Sequence, residues 1–248
     1  MISLKIRLAY TKKKEAKYIA HLDLTRMFDR ALRRAQIQVA FSEGFNPHPK
    51  IAFGPPLPVG VESEREFVDI ELQEALGAKG AFLAEMVGKM QKQLPPGINL
   101  LDAALRPKQD KALMAVINRA HYRAEVPFKE AVTADILDNA CQDWLAREEV
   151  LIERTKEKNK KNQKDVRPFV KKLQILQTQL QANEQSRAIM FFDLVTGNQG
   201  SVRPLEILAS LAELEQLPVD LPGVAVVRVG LYVEQADGAL LDPLLMLK

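Results

Sequence analysis

Apolar and polar residues follow two different periods along the chain. Leu24, Phe28 and Leu32 lie four residues apart, which is the spacing of a buried helical stripe. Val68 and Ile70 lie two residues apart, with charged residues between and beside them, as in a half-buried strand. The first half therefore predicts the order strand, helix, strand, strand, helix, strand, which is the ferredoxin-like order. The predicted strands are 2–10, 50–53, 66–72 and 98–105, with a further extended segment at 37–41, and the predicted helices are 22–36 and 79–93.

The second half predicts the same plan with additions. A segment with one proline and three basic residues at 106–111 is the expected linker, so the predicted domains are 1–107 and 112–248. A basic loop at 156–165 is the main addition. The chain is thus predicted to be an α+β protein of two tandem ferredoxin-like halves. Its remaining predicted strands are 114–126, 150–153, 169–176, 189–195 and 224–234, and its remaining helices are 129–146 and one that begins near Pro204 with Ser201 as its cap.

Composition narrows the class of protein. The chain has 248 residues, of which 47% are hydrophobic and 27% charged, a normal balance for a globular protein. Its N-terminus alternates like a strand and does not resemble a signal peptide, and no apolar run is long enough for a transmembrane helix. The single cysteine, Cys141, excludes an internal disulfide, which favours the cytoplasm. It also excludes a four-iron cluster or a thiolate-rich zinc site within this chain.

Positive charge is concentrated in two segments, although the net charge is only +3. Residues 1–50 contain 11 Lys and Arg against 4 Asp and Glu, and residues 154–174 contain 9 against 2. Basic surfaces of this kind attract phosphate groups. The alternative is that both segments are simply solvated faces.

The first predicted helix carries a candidate anion-binding face. Arg26, Arg30 and Arg33 lie at i, i+4 and i+7, so their guanidinium groups project from one side. Asp23 and Asp29 can each neutralise one of these arginines. The alternative is that the face is simply a solvent-exposed set of ion pairs. Because a guanidinium group matches the geometry of phosphate oxygens, we expect the surplus arginines to bind phosphate.

The loop after this helix is the second candidate. Asn46, His48 and Lys50 lie in the sequence Gly-Phe-Asn-Pro-His-Pro-Lys, whose two prolines stiffen the backbone. His48 and His21, at the start of the helix, are the weak candidates for acid–base catalysis. No spacing typical of metal ligands is present, so neither a metal nor another cofactor is expected. The simpler alternative is that proline and asparagine only build the turn.

Two further arginines and one cysteine complete the candidates. Arg167 and Arg203 each occur in a Val-Arg-Pro tripeptide, and we interpret them as further anion-binding residues, although coincidence explains the repeat equally well. Cys141 and Trp144 lie, together with Ile136, on the apolar face of the helix predicted at 129–146, and Cys141 and Trp144 are expected in the core. Cys141 is therefore a poor candidate for a nucleophile.

Three motifs together resemble those of the radical SAM-linked family, a bacterial domain of unknown function. They are His-Leu-Asp-Leu at 21–24 with Ala-Leu-Arg-Arg-Ala at 31–35, Ser-Glu-Gly-Phe-Asn-Pro-His-Pro-Lys at 42–50, and Pro-Leu-Pro-Val-Gly-Val-Glu-Ser at 56–63. Ala20 departs from the serine that the resemblance leads us to expect. Members of that family are fused to a B12-binding radical SAM protein or encoded beside one. The resemblance thus implies a radical SAM enzyme as partner, and with one cysteine this chain is then the non-catalytic half.

These observations support three hypotheses. The first is a non-catalytic accessory protein that binds RNA or presents a substrate. The second is a metal-independent endoribonuclease, similar to the CRISPR repeat-processing enzymes, in which His21 or His48 is the general base and Arg26 or Arg30 stabilises phosphate. The third is a protein–protein adaptor with no RNA ligand.

Overall fold

The computed structural model describes residues 4–73, 79–107, 110–156, 160–179 and 186–247. These residues form a mixed α+β architecture, which confirms the expected class. The strands are β1 (Leu4–Lys12), β2 (Ile51–Phe53), β3 (Glu62–Leu72), β4 (Leu100–Arg106), β5 (Arg119–Pro127), β6 (Leu151–Lys156), β7 (Lys160–Asp165), β8 (Val170–Gln179), β9 (Arg187–Val195), β10 (Ala225–Glu234) and β11 (Leu240–Leu241). The helices are α1 (His21–Arg34), α2 (Lys79–Gln91), α3 (Leu113–Val116), α4 (Ala134–Ala146) and α5 (Pro204–Leu214).

The chain folds as two compact units. Unit 1 contains Met1–Asn118 and Arg228–Lys248, and unit 2 contains Arg119–Val227. A compact unit is not necessarily a domain that folds independently, so the domains 1–107 and 112–248 stay a prediction. Within the described part of the chain, no helix is long and apolar enough to cross a membrane.

Unit 1 is built on antiparallel strands. β1 lies between β3 and β4 and pairs antiparallel with both, and β2 pairs antiparallel with β3 through Phe53 and Val68. The buried stripe of α1, which includes Leu24, Phe28 and Leu32, belongs to the same apolar cluster as the β-strand residues Leu8 and Val68. This packing fixes α1 on the sheet and leaves its polar face exposed.

Unit 2 has a three-stranded sheet and a separate hairpin. β9 pairs antiparallel with β5 and β8, while β6 and β7 form a two-stranded antiparallel sheet of their own among the described residues. Trp144 of α4 is fully buried, and its indole N–H donates to Ser210 Oγ of α5 at 3.0 Å. Cys141 is also buried, and burial, followed by the nearby Asp138 carboxylate, raises the pKa of its thiol to about 12. Both residues are core residues, as predicted.

Four local predictions are wrong. The segment predicted as a strand from 114 begins instead with helix α3, because Leu-Met-Ala-Val suits either structure, and strand β5 starts only at Arg119. The predicted loop at 156–165 contains strand β7, paired with β6, while residues 157–159 lie outside the described residues. The segment 37–41 forms only two isolated bridges, through Val39 and Phe41. Ile136, predicted on the buried face of α4, is 52% exposed.

Candidate functional site

The polar face of α1 presents its arginines to solvent. Arg26 Nη1 lies 3.0 Å from Asp23 Oδ1, and Arg33 Nε lies 2.9 Å from Asp29 Oδ1, so the two expected ion pairs are formed. Arg30 is also exposed and makes no ion pair with any residue in the described ranges. Exposed pairs contribute only about 0–1 kcal/mol each. An incoming anion can therefore compete for all three guanidinium groups.

The loop that follows is closed by hydrogen bonds at its base. Ser42 N–H donates to the His48 carbonyl oxygen at 2.8 Å, and His48 N–H donates to Ser42 Oγ at 2.9 Å. Lys50 N–H donates to the Ala40 carbonyl oxygen at 2.8 Å, which anchors the end of the loop. Phe45 at the tip is fully exposed, and the neighbouring Asn46 is exposed as well. The closed loop thus holds the Phe45 ring in solvent, so the ring does not gain the stabilisation that burial of its apolar surface would give.

The base of this loop opens onto a cleft of about 320 Å³, here called the loop cleft. Its polar side chains come from β1, the loop, β3 and β4 and include Lys5, Ser42, His48, Lys50, Glu71 and Arg106. The Glu71 carboxylate lies between Lys50 Nζ at 3.5 Å and Lys5 Nζ at 3.7 Å. The structure therefore brings two of the predicted residues, His48 and Lys50, into one cationic cleft.

A largely buried ionic network adjoins the loop cleft, and two of its members, Asp69 and Arg106, line the cleft. Arg7 Nε donates to Asp69 Oδ1 at 2.7 Å, and Arg106 Nη1 lies 3.4 Å from Asp69 Oδ2. Asp110 Oδ2 accepts from Arg106 Nε at 3.2 Å and from Arg7 Nη2 at 3.3 Å. Each carboxylate is thus held between two guanidinium groups. The cleft consequently offers mainly donors to a ligand.

His21 lies in a different place, a small depression here called the His21 pocket. Its wall includes Tyr10, Lys12, Phe53 and Glu66, and the His21 ring meets the Phe53 ring edge-on with 5.4 Å between centroids. Lys12 is 2% exposed, and its Nζ donates to the Ile19 carbonyl oxygen at 2.8 Å. Burial lowers the pKa of Lys12, because the charged ammonium loses its hydration. Burial likewise raises the pKa of Tyr10.

A second buried ion pair supports the proline-rich wall of the His21 pocket. Arg228 Nε donates to Glu66 Oε1 at 2.7 Å, and Arg228 Nη2 donates to the Pro55 carbonyl oxygen at 2.9 Å. Ser63 Oγ donates to the same Glu66 oxygen at 2.6 Å. Sequence reasoning missed Arg228 because it lies 162 residues from Glu66 in the chain.

In unit 2 the two Val-Arg-Pro arginines occupy different environments. Arg167 donates through Nε and Nη2 to the Leu145 carbonyl oxygen at 2.9 and 2.6 Å and through Nη1 to the Val170 carbonyl oxygen at 3.1 Å. The side chain of Arg203 is exposed, while its main-chain N–H donates to Glu206 Oε2 at 2.8 Å. Their role in anion binding stays a prediction, and the repeat does not produce two equivalent positions.

Metal ligands are not gathered in the described ranges: no three His, Cys, Asp or Glu side chains there are placed to hold a metal ion. The fold and the cleft thus define a mixed α+β protein with a donor-rich cleft in unit 1. The chain belongs to the family described as "Uncharacterized protein conserved in bacteria (DUF2344)", whose model matches residues 5–204. A search of the curated proteins found no match.

Proposed function

We propose that this protein is a non-catalytic accessory protein that binds RNA and presents it to a radical SAM enzyme. The observation that carries the proposal is the fully exposed Phe45 on a closed loop whose base lines the cationic loop cleft. An exposed aromatic ring beside positive charge is typical of surfaces that bind single-stranded nucleic acid, because bases stack on the ring while cations bind the backbone.

The exposed arginines of α1 extend this surface within unit 1. The Arg33 guanidinium carbon lies 5.8 Å from the centre of the Phe41 ring, next to the start of the loop. Arg26 and Arg30 lie on the same exposed helix face, two turns and one turn before Arg33. We infer that the RNA backbone follows this face and that a base stacks on Phe45.

Substitution of Phe45 tests the stacking contact. In Phe45→Ala, the affinity for single-stranded RNA is expected to fall by about 1–3 kcal/mol, the usual contribution of one stacked base. Phe45→Leu is the matched control, since it keeps apolar bulk without an aromatic face and should show most of the same loss. Equal affinity of the wild type and Phe45→Ala, measured by fluorescence anisotropy, would remove Phe45 from the proposed surface.

The proposed enzyme partner rests on the resemblance of the three sequence motifs to the radical SAM-linked family. One cysteine cannot supply the thiolates that a four-iron cluster needs, so the partner has to bring them. Co-purification with a radical SAM enzyme, together with RNA, is the expected result. Stable capture of that enzyme with no RNA binding at low salt would favour the adaptor hypothesis instead.

A second candidate function, metal-independent RNA cleavage, is favoured by the His21 pocket. His21 there shares a wall with Lys12 and Tyr10 and not with the arginines of α1. His21 would take the proton from a ribose 2′-hydroxyl, whose oxygen attacks the adjacent phosphorus. A 2′,3′-cyclic phosphate forms as the bond from phosphorus to the 5′-oxygen of the next nucleotide breaks, and that oxygen takes a proton from water. Cleavage in the presence of a chelator, lost in His21→Ala, would support this function, and intact RNA after prolonged incubation would exclude it.

We also propose that both halves of the chain are ferredoxin-like. The order β1, α1, β2, β3, α2, β4, together with the antiparallel neighbours β4-β1-β3-β2, supports this for the first half. In the second half, β5, α4, β8, β9, α5 and β10 follow in the same order, with the hairpin β6–β7 inserted after α4. An experimental structure of either half compared with known ferredoxin-like domains would test the proposal.

A further inference from the structure

The loop cleft has the size of a pocket for a small ligand. Its volume of about 320 Å³ lies near the lower end of the roughly 300–1,000 Å³ usual for such pockets. Ser42 and His48, which are joined by two hydrogen bonds at the base of the closed loop that carries Phe45, are part of its lining. A pocket of this size admits one monomer unit of a polymer.

We propose that the loop cleft holds a single nucleotide of the bound RNA, with its phosphate against Lys5, Lys50 and Arg106. This inference rests on the proposed function and names the unit of RNA that the site recognises. The chemical class of the ligand is a nucleoside monophosphate unit. Its source is either an RNA chain or a free mononucleotide.

The charges of the cleft and of the ionic network beside it favour an anion. Four cationic groups, Lys5, Arg7, Lys50 and Arg106, are paired with three carboxylates, Asp69, Glu71 and Asp110. One positive charge remains after this pairing, and the imidazole ring of His48 in the lining adds an N–H donor. Because every one of these carboxylates already contacts two cations, the cleft is suited to a phosphate and unsuited to a cationic ligand.

The rest of the lining suits a nucleobase. Ile51, Ala52 and Ile70, from the paired strands β2 and β3, and Pro49 add apolar surface beside the charged groups. The hydroxyl of Ser42 adds a polar group at the loop base. A nucleotide matches this combination because it carries a flat apolar base on one side and a charged phosphate on the other.

Calorimetric titration of the full chain with AMP, with adenosine as the matched ligand without phosphate, tests the assignment. AMP is expected to bind with a Kd of about 1 mM or below, and adenosine about tenfold or more weakly, the effect of losing charged hydrogen bonds. The double variant Lys5→Gln, Lys50→Gln should lose about tenfold in AMP affinity. Lys89→Gln with Lys92→Gln, two exposed lysines outside the lining of the loop cleft and outside both basic segments, is the control and should bind AMP like the wild type.

Equal binding of AMP and adenosine, or undiminished AMP binding by the folded Lys5, Lys50 variant, would overturn the assignment. Circular dichroism establishes that each variant is folded, and neither lysine belongs to the buried core.

Competition with a labelled single-stranded RNA separates this inference from the proposed function. Displacement of the RNA by AMP but not by adenosine supports both. If the RNA binds but AMP does not displace it, the assignment of a single nucleotide to the loop cleft is wrong, while the proposed RNA binding is still supported. AMP binding with no RNA binding at low salt overturns the proposed function and assigns the cleft to a free mononucleotide.

Discussion

Arg228 donates hydrogen bonds to the Glu66 carboxylate and to the Pro55 carbonyl oxygen, although only 1% of its surface is exposed. Removing such a charge from water costs several kcal/mol, which the pair offsets only because both partners are satisfied. The pair connects β3, β10 and the proline-rich segment that walls the His21 pocket. This buried ion pair therefore fixes the strands and the proline-rich segment that form the His21 pocket.

Breaking this pair should be costly. In Glu66→Gln, the free energy of unfolding is expected to fall by about 3–5 kcal/mol, because the Arg228 charge stays buried without its partner. Urea denaturation measures the loss. The exposed pair Arg187–Glu125, with both side chains 50% exposed, gives the control, and Glu125→Gln should cost at most about 1 kcal/mol. Similar losses in the two variants would mean that the Glu66 pair is not structurally important.

Cys141 offers a probe of the interior of unit 2. Its thiol has a pKa of about 12, raised mainly by burial, so almost no reactive thiolate is present near neutral pH. A thiol reagent should therefore react slowly with the native protein and rapidly, with one thiol per chain, after unfolding. Rapid modification of the native protein would contradict the burial of Cys141.

The raised pKa of Cys141 also affects stability at high pH. Since the folded pKa of Cys141 lies above its usual value of 9.0, the native state keeps its proton longer than the unfolded state. The contribution of Cys141 is thus complete below about pH 9 and is lost as the pH rises towards about 12. In Cys141→Ala, the decline of the unfolding free energy over this range should be shallower than in the wild type.

Helix α5 begins at the predicted residue, Pro204, but a different residue caps it. The N-cap is Arg203, whose main-chain N–H donates to the Glu206 carboxylate, and not Ser201 as predicted. The Glu206 carboxylate also accepts from Arg154 Nε at 2.8 Å and Nη2 at 2.7 Å. The Ser201 carbonyl oxygen, and not its hydroxyl, is the group that accepts from Lys164 at 2.8 Å.

This arrangement predicts unequal effects of two alanine substitutions. Glu206→Ala should lower the free energy of unfolding by about 1–2 kcal/mol, because it removes the bond to the helix start and the ionic contacts with Arg154. Ser201→Ala keeps the carbonyl oxygen and should change stability by at most about 0.5 kcal/mol. The opposite ranking in thermal denaturation would restore Ser201 as the cap.

Elements with a strong period were predictable from the sequence. Helix α1 was expected at 22–36 and spans His21–Arg34, and β10 was expected at 224–234 and spans Ala225–Glu234. The helix formed by the short apolar run at 113–116 was not predictable, because a single turn has too few residues to distinguish the apolar period of a helix from that of a strand. Strand β7 escaped prediction because its polar, basic sequence lacks the apolar alternation that identifies a strand, whereas β6 corresponds to the strand predicted at 150–153.

The candidate site was predictable only in part, because its residues are far apart in sequence. Proline and asparagine marked the loop that carries His48 and Lys50, since these residue types restrict the backbone locally. Lys5 and Arg106 carry no local signal, and only the antiparallel pairing of β1 with β4, including Lys5 opposite Arg106, brings them together. The separation of His21 from the loop cleft likewise depends on tertiary packing.

At the scale of the whole molecule, positive charge is unevenly distributed although the net charge is only +3. In unit 1, the arginines of α1 lie on its exposed face, and Lys5 and Lys50 line the loop cleft. The proposed binding of single-stranded RNA by these cations should depend on salt, because each neutralised phosphate releases counterions.

Binding of RNA by the α1 face is best measured as the affinity for single-stranded RNA between about 50 and 200 mM salt. A linear fall of log K with log salt is expected. In the triple variant Arg26→Gln, Arg30→Gln, Arg33→Gln, the slope should be smaller by about 0.7 for each phosphate that is no longer neutralised. The control Lys89→Gln, Lys92→Gln, Arg187→Gln removes three exposed cations outside both basic segments and should keep the wild-type slope. Absence of binding by the wild type at the lowest salt, or an unchanged slope in the α1 variant, would rule out RNA binding by this face.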